Sequence, residues 1–163
     1  RLELVGGQVF DFTNTPWEHN ATLGEVFDAL NSPVTAALGQ VITGQHFRVD
    51  SLQVRRIDVG ALSPLQLPLV EPQRMVQPFT PTLAVEIASP SDTLVDIFTK
   101  ALDYLRADTE MVWIVVLQPF REVHVLDRSG AHRVCMPGES ITLPASLGTA
   151  TLPVAGLFPP PLR

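Results

Sequence analysis

Two acidic residues stand inside apolar stretches of this sequence, and they are its clearest chemical signal. Asp58 lies within VRRIDVGAL and Glu86 within TLAVEIAS. A carboxylate among apolar neighbours is costly to bury unless a proton, a partner or a metal cation compensates it. If the two stretches are paired strands, both acids can project from one edge of a sheet. Carboxylates brought together in this way suit Mg²⁺ or Mn²⁺.

Lys100 is the single lysine of a chain whose other ten basic residues are arginines. It follows the Glu86 stretch on a predicted helix, from which its amine could polarise a phosphate or orient an attacking water. Two plainer interpretations stay open. Glu86 would then pair with an arginine at a strand end, and Lys100 would pair with Asp96 on a solvated helix edge.

The elements that must position these groups begin with a β-hairpin over residues 1–12. Its turn is Gly6-Gly7, and both glycines tolerate positive φ. Helical spacing over residues 17–30 is interrupted by Asn31-Ser32-Pro33, after which a second short helix runs to residue 38. The buried positions of the hairpin are predicted to be Leu2, Leu4, Val9 and Phe12.

The acids are placed by a series of strands and one further helix. Strands are predicted over residues 40–49, 51–62, 82–88 and 111–117, with a hairpin over 121–127 and 131–136. Residues 63–81 are rich in proline and predict a long surface loop. Ser91 is predicted to cap a helix over about 92–107. Its buried arc comprises Leu94, Phe98, Ala101, Leu102 and Leu105, and the tail docks through 152–154 and 157–158.

The composition of the chain limits the classes of fold and function that are possible. With 163 residues, 45% hydrophobic and 17% charged, the chain is expected to fold as a single domain over residues 1–163. It shows no signal peptide and no apolar run of about 20 residues, so no membrane association is expected. One cysteine, Cys135, suits a cytoplasmic protein. The net charge of −6 argues against binding nucleic acid through bulk positive charge, but permits a local basic groove or an acidic metal site.

Several short motifs recur together in one known family. They are LVGGQ (4–8), EH (18–19), RRIDV (55–59), VEIASPS (85–91) with the following Asp96, Lys100 and Tyr104, and Trp113. On these residues the sequence, over nearly its whole length, resembles the Uma-type putative restriction endonuclease family, a branch of the PD-(D/E)XK nuclease superfamily. Departures are Ile57 for the usual proline, Gln8 for a common glutamate, and Val116-Leu117 for an aspartate and proline.

The resemblance implies a restriction-endonuclease-like α/β (α+β) fold, a mixed sheet flanked by helices with an N-terminal β-hairpin. It implies Asp58 and Glu86 as metal ligands, with the backbone carbonyl of Ile87 as a third. It also implies Lys100 as the catalytic lysine. In the standard motif that lysine stands two residues after the glutamate, where this chain has Ala88, so Lys100 must reach back from the helix.

Further site groups are less directly indicated. His19 or Glu18 would add a group from the first helix, although a histidine in this position is more often a polar residue at a helix start than a ligand. Arg55 and Arg56 would contact phosphate, or would simply cover a sheet edge.

The resulting hypothesis is a metal-dependent endonuclease that uses Mg²⁺ (or Mn²⁺) to hydrolyse phosphodiester bonds in DNA, with a homodimer suited to two-strand cleavage. The alternative is a non-catalytic domain of the same fold that serves in protein interaction or regulation, which the acidic charge favours. A hydrolase for a small phosphorylated substrate is a third interpretation. A basic groove leading to Glu86 would favour the enzyme.

Overall fold

The computed structural model describes residues 2–11, 16–90 and 92–160, which form helices and strands in a mixed α+β arrangement. The helices are α1 (Trp17–Ala36) and α2 (Leu94–Arg106), with short 3₁₀ turns elsewhere. The strands are β1 (Leu2–Val5), β2 (Gln8–Asp11), β3 (Gln40–Thr43), β4 (His46–Arg48), β5 (Val54–Arg56), β6 (Val59–Leu62), β7 (Val76–Gln77), β8 (Leu83–Ile87), β9 (Met111–Val116), β10 (Glu122–Asp127), β11 (His132–Cys135), β12 (Ser140–Thr142) and β13 (Thr151–Pro153).

The described strands divide into separate sheets where the sequence predicts one. A six-stranded sheet has the order β11-β10-β9-β8-β6-β3, and a five-stranded sheet has the order β2-β1-β5-β4-β7. A small third sheet pairs β12 with β13. Within the six-stranded sheet β8 and β9 run parallel while β6 and β8 run antiparallel, so the predicted mixed sheet is confirmed.

The pairing of β6 with β8 is the one on which the two acids depend. Val59 lies opposite Val85, and Gly60 lies opposite Ala84. The same register, continued by one position, sets Asp58 opposite Glu86. The prediction that these two stretches are neighbouring strands is therefore confirmed.

Two predicted strands are each broken into two, and the breaks coincide. The strand over 40–49 bends at Gly44, whose φ is +64°, and the strand over 51–62 bends at Ile57-Asp58. The Gly44 N–H donates to the Asp58 carbonyl at 3.2 Å, and the Ile57 N–H donates to the Gln45 carbonyl at 3.1 Å. Both segments therefore pass between the six-stranded and the five-stranded sheet at the same place, and Asp58 lies at this crossing point.

Helices α1 and α2 cover opposite faces of the six-stranded sheet, because alternate residues of β8 belong to different cores. Leu83, Val85 and Ile87 pack in the core that contains the buried face of α1. Ala84 packs in the core that contains the buried face of α2. Side chains alternate along a strand, so Glu86 shares the α2 side with Ala84.

The first helix is longer than predicted. It runs without interruption through Asn31-Ser32-Pro33, so the expected break and the second short helix are wrong. An interior proline costs a helix about 3 kcal/mol. Leu30 and Val34 on either side are fully buried in the core, which explains why the last turn persists. The helix ends before Leu38, a residue with positive φ.

Helix α2 has a different cap and a different buried face from those predicted. Thr93 is the N-cap and its hydroxyl accepts the Asp96 N–H at 3.1 Å, whereas Ser91 lies outside the described residues. Of the predicted arc only Ala101 is fully buried, while Leu94 and Leu102 are exposed. The face turned inward instead carries Ile97, Lys100, Ala101, Asp103 and Tyr104.

The N-terminal hairpin forms around Gly6-Gly7 as predicted, but its inward face differs. Val9 is exposed and Leu4 is half-buried, whereas Glu3 is buried. Phe12 and the side chain of Leu2 lie outside the described residues. The hairpin joins the five-stranded sheet through Leu4 and Val54, which brings Glu3 toward the interior.

The proline-rich stretch over 63–81 is less of a loop than predicted. It contains a 3₁₀ turn (Leu67–Leu69) and the strand β7, which pairs with β4. The predicted docking of the tail is confirmed, since Val154, Leu157 and Phe158 are buried in the α1-side core. In the described part of the chain, no helix combines the length and the apolar character needed to cross a membrane.

Candidate active site

Asp58 is held at the point where the chain crosses between the sheets. Its side chain is buried, and its Oδ2 accepts the Ile87 N–H at 2.9 Å. The same oxygen lies 3.2 Å from Nε2 of His19, a buried residue in the first turn of α1. One carboxylate oxygen therefore ties together α1, β8 and the crossing point.

Glu86 is the polar residue in the middle of the apolar strand β8, and it is 2% exposed. Both of its carboxylate oxygens accept hydrogen bonds from α2. Lys100 Nζ donates to Oε2 at 2.6 Å, and the Tyr104 hydroxyl donates to Oε1 at 2.9 Å. An ion pair and a hydrogen bond offset the cost of burying this charge. A lysine and a tyrosine therefore bond to Glu86 where the plainer interpretation expects an arginine.

Lys100 reaches back to the strand, as the catalytic assignment requires. Besides Glu86, its Nζ donates to Glu3 Oε1 at 3.0 Å and to the Arg56 carbonyl at 3.1 Å. An ammonium group has three N–H donors, so these partners use its full capacity. The interpretation of Lys100 as a solvated partner of Asp96 is wrong. Asp96 instead bonds to Thr93 at the start of the helix.

Glu3 is the site residue that sequence reasoning missed. It is 4% exposed and its two oxygens bridge Lys100 (3.0 Å) and Arg55 (3.4 Å). The signal was present in Leu2-Glu3-Leu4-Val5, where one acid stands among apolar residues just as Glu86 does. The assumed hairpin register placed its neighbours inside and so turned Glu3 outward.

Arg55 completes what we call the ion cluster: Glu3, Arg55, Glu86, Lys100 and Asp103. Its guanidinium bonds twice to Asp103 Oδ2, at 2.6 and 3.2 Å, and is buried. Burial by itself lowers the pKa of Arg55, but the bond to Asp103 and the charges of Asp103 and Glu3 raise it overall. This placement favours a structural role over phosphate contact for Arg55. Arg56 is half-buried with its guanidinium against Gly44, and its phosphate contact stays a prediction.

Tyr104 belongs to the family-like signature, but its role in the site was not predicted. It is fully buried, and it donates its hydroxyl to Glu86. Burial raises the pKa of the phenol well above its ordinary value, and the nearby charges of Glu86 and Glu3 add to the effect. The hydroxyl is therefore a stable hydrogen-bond donor to the carboxylate.

The raised pKa predicts a loss of stability at alkaline pH. An unfolded tyrosine ionises near pH 10 whereas folded Tyr104 stays neutral, so its contribution is complete below about pH 10 and is lost as the pH rises above it. Tyr104 is the only tyrosine, so tyrosinate absorbance reports this group alone. In a chelator-containing buffer we expect that absorbance near pH 10 in urea-unfolded protein, but only at higher pH in folded protein. Tyr104→Phe should lack the signal and this alkaline loss, and coincident folded and unfolded titrations would contradict the assignment.

A cleft of about 360 Å³ opens beside Asp58, on the α1 side of the strand end. His19 lines it, as does Glu18, whose carboxylate lies 3.4 Å from Gln118 Nε2 and 3.9 Å from Arg121. The structure therefore brings His19 directly to Asp58, while Glu18 faces the cleft. The remaining lining residues are Pro16, Ala88, Ser89, Pro90, Leu117, Gln118 and Pro119.

The donor set can be tested against the divalent cation that the resemblance implies. In residues 2–11, 16–90 and 92–160, no group of three or more His, Cys, Asp and Glu side chains is placed to hold a metal ion. Mg²⁺ commonly takes only one or two protein carboxylates and keeps several waters. Asp58 and Glu86, with the carbonyl of Ile87, meet that requirement in type. The ion cluster and Asp58 together hold four carboxylates and two basic side chains, an excess of negative charge that suits a cation.

Comparison with known proteins agrees with this architecture. A crystal structure of a putative nuclease belonging to DUF820 from Anabaena variabilis is similar, with a TM-score of 0.83 and 18% sequence identity. The match covers 96% of this chain and 89% of that one, and at this identity it shows the fold. No curated protein gives a significant match. The Uma2 family, described as "Putative restriction endonuclease", matches residues 1–155, so the chain belongs to the Uma2 family.

Proposed function

We propose that the protein is a metal-dependent endonuclease that hydrolyses phosphodiester bonds in DNA. The observation that carries the proposal is the convergence of the predicted groups. Lys100 Nζ lies 2.6 Å from Glu86, and Asp58 bonds to the N–H of the residue that follows Glu86. These groups come from α2, β8 and the sheet crossing, and a structural salt bridge alone would not require Asp58. Membership of a family described as putative restriction endonucleases supports the nuclease class.

In this proposal Asp58 and Glu86 hold Mg²⁺ or Mn²⁺, with the Ile87 carbonyl as a third ligand. The bound ion would lower the pKa of a coordinated water and stabilise negative charge on the phosphate. Lys100 brings its ammonium group to Glu86, where it can stabilise developing charge or orient water. To contact a phosphate oxygen, its ammonium would exchange one of its protein acceptors, and Glu3 would hold it in place meanwhile. His19 fixes the orientation of Asp58.

The proposal extends to the assembly and the compartment. Cutting both strands of a duplex requires two sites, so a homodimer is part of it, and sedimentation velocity would test that part. The buried, free Cys135 suits a reducing, cytoplasmic location.

The alternative, a non-catalytic nuclease-fold domain, is favoured by one observation. The described cleft is lined by Glu18 and by no lysine or arginine, and the donors of Lys100 are all taken by protein groups. Such a lining does not attract a polyanion by charge. Activity therefore has to be measured directly.

The test is cleavage of plasmid and single-stranded DNA with Mg²⁺ or Mn²⁺. Glu86→Ala and the isosteric Glu86→Gln are each expected to lower the rate by at least about 10²-fold, since each removes a charge that the chemistry needs. Glu71→Ala, at an exposed acid paired with Arg74, should cut like the wild type. Cutting that survives in both Glu86 variants, with folding verified by circular dichroism, would refute the assignment. A folded wild type that binds metal but cuts nothing would support the non-catalytic alternative.

A further inference from the structure

The carboxylate of Glu86 is held at both of its oxygens by a single helix. Lys100 and Tyr104 lie four positions apart on the buried face of α2, so their side chains leave the helix one above the other. Lys100 Nζ donates to Oε2 at 2.6 Å, and the Tyr104 hydroxyl donates to Oε1 at 2.9 Å. Because each oxygen has its own donor, the carboxylate cannot turn about its Cγ–Cδ bond without losing one of these contacts.

The two oxygens of Glu86 differ in the charge that faces them. Oε2 faces an ammonium group, whereas Oε1 faces a neutral hydroxyl. Lys100 is itself held in place by Glu3 Oε1 at 3.0 Å and by the Arg56 carbonyl at 3.1 Å. A divalent cation on Oε2 would be repelled by this ammonium group at short range. The repulsion is weaker at Oε1, and a carboxylate oxygen that accepts one hydroxyl can accept a second bond.

The position of the Tyr104 hydroxyl is set by the core and not by Glu86 alone. The tyrosine is fully buried and packs in the α2-side core, which also contains Ile97, Ala101 and Ala84. Close packing leaves a buried aromatic ring little freedom to change its rotamer. The hydroxyl is therefore a rigid and uncharged donor, aimed at the oxygen that is better suited to a cation.

We propose that Tyr104 is the positioning residue that presents Oε1 of Glu86 to the divalent cation. This inference rests on the proposed function, and it gives the two α2 residues different tasks. Lys100 occupies Oε2, and Tyr104 orients the oxygen that binds metal. Hydrogen-bond partners of metal ligands typically contribute about 10–100-fold to metal affinity. Without the hydroxyl, Lys100 is left as the α2 partner of the carboxylate, and both oxygens can turn toward its ammonium group.

The first test measures Mn²⁺ binding to the full chain without DNA, by isothermal titration calorimetry. Tyr104→Phe keeps the buried ring and removes only the hydroxyl, and it should weaken Mn²⁺ binding about tenfold or more. Glu86→Gln should weaken binding further, which locates the titrated site. Thr109→Val is the matched control, because Thr109 is also fully buried and its hydroxyl has no hydrogen-bond partner among the described residues. It should bind Mn²⁺ like the wild type.

The second test separates positioning from structural support by measuring DNA cleavage at increasing Mn²⁺ concentration. Tyr104→Phe should need about tenfold more Mn²⁺ to reach half of its maximal rate, and saturating Mn²⁺ should restore most of the wild-type rate. Glu86→Gln should not be restored. A hydroxyl that only supports the fold would lower stability in urea denaturation and leave the Mn²⁺ dependence unchanged.

The outcomes distinguish this inference from the nuclease proposal. Equal Mn²⁺ affinity of the wild type and a folded Tyr104→Phe would overturn the positioning role while leaving the nuclease proposal intact. An equal loss of affinity in Thr109→Val would also overturn it. Weaker Mn²⁺ binding by Tyr104→Phe, without cleavage by the wild type, would support the positioning role and count against the nuclease proposal. A wild type that binds no Mn²⁺ would overturn both.

Discussion

Replacing Lys100 with methionine is expected to lower the free energy of unfolding by about 3–5 kcal/mol. The Lys100 amine lies 2.6 Å from Glu86 and 3.0 Å from Glu3, and both carboxylates are almost completely buried. Methionine fills a similar volume but leaves two negative charges without their shared cation. The loss should therefore far exceed that of an ordinary surface ion pair, and urea denaturation at neutral pH measures it.

Arg106→Met is the matched control, because Arg106 also lies on α2 and also faces a carboxylate. Its side chain is 75% exposed and stands 4.0 Å from Asp103. Removing it should change the free energy of unfolding by less than about 1 kcal/mol. Similar losses in the two variants would mean that burial of the Lys100 pair is not what stabilises it.

A double variant separates the lost ion pair from lost packing. With Glu86→Gln in the background, Lys100→Met no longer leaves a charge on residue 86, and Glu3 keeps its contact with Arg55 at 3.4 Å, so part of the stability should return. A loss of the same size in both backgrounds would indicate a packing defect.

The second large effect is expected at Arg55. Two arginine–carboxylate contacts in the described chain have the same length of 2.6 Å, Arg55 with Asp103 and Arg74 with Glu71. The first pair is 8% and 7% exposed, and the second is 50% and 56% exposed. Arg55→Met should cost about 3–5 kcal/mol of unfolding free energy, and Arg74→Met less than about 1 kcal/mol. Distance is matched here, so the difference measures the effect of burial.

Asp103→Asn gives the complementary measurement on the Arg55 pair. It removes a charge but keeps an acceptor for the guanidinium, so we expect a smaller loss than with Arg55→Met, which strands Asp103 and weakens the hold on Glu3. If Arg55→Met and Arg74→Met have equal effects in urea denaturation, the interior of the ion cluster must be open to water.

The positions of Asp58 and Glu86 were predictable because the apolar pattern carries that information. Each acid interrupts a run of apolar residues that is otherwise typical of a buried strand. Strands that follow one another in sequence often pair. The register of Val59 with Val85 then sets the acids opposite each other. The helix that carries Lys100 was predictable for the same reason, apart from its ends.

The partners of these groups were not predictable, because they join residues far apart in the sequence. Lys100 and Glu3 are 97 positions apart and Arg55 and Asp103 are 48 apart. A helical wheel of the apolar residues centres the buried arc on residues such as Leu94 and Leu102 and places Lys100 only at its edge. In the structure, bonds to Glu3, Glu86 and Arg55 on other elements place Lys100 and Asp103 on the buried face of the helix instead. Local propensity also failed at Pro33, where core packing of Leu30 and Val34 keeps the helix intact.

The chain has a single lysine, and its side chain is buried. Chemical labelling of this lysine can therefore report local opening of the structure around it. Amine-reactive reagents can modify only the ε-amine of Lys100 and the α-amino group, and peptide mapping distinguishes the two products. An ammonium group with its donors occupied and little exposure reacts only when the surrounding structure opens. The labelling rate at Lys100 therefore gives the free energy of that opening, and its response to added DNA or metal would show whether ligands close or loosen the centre of the molecule.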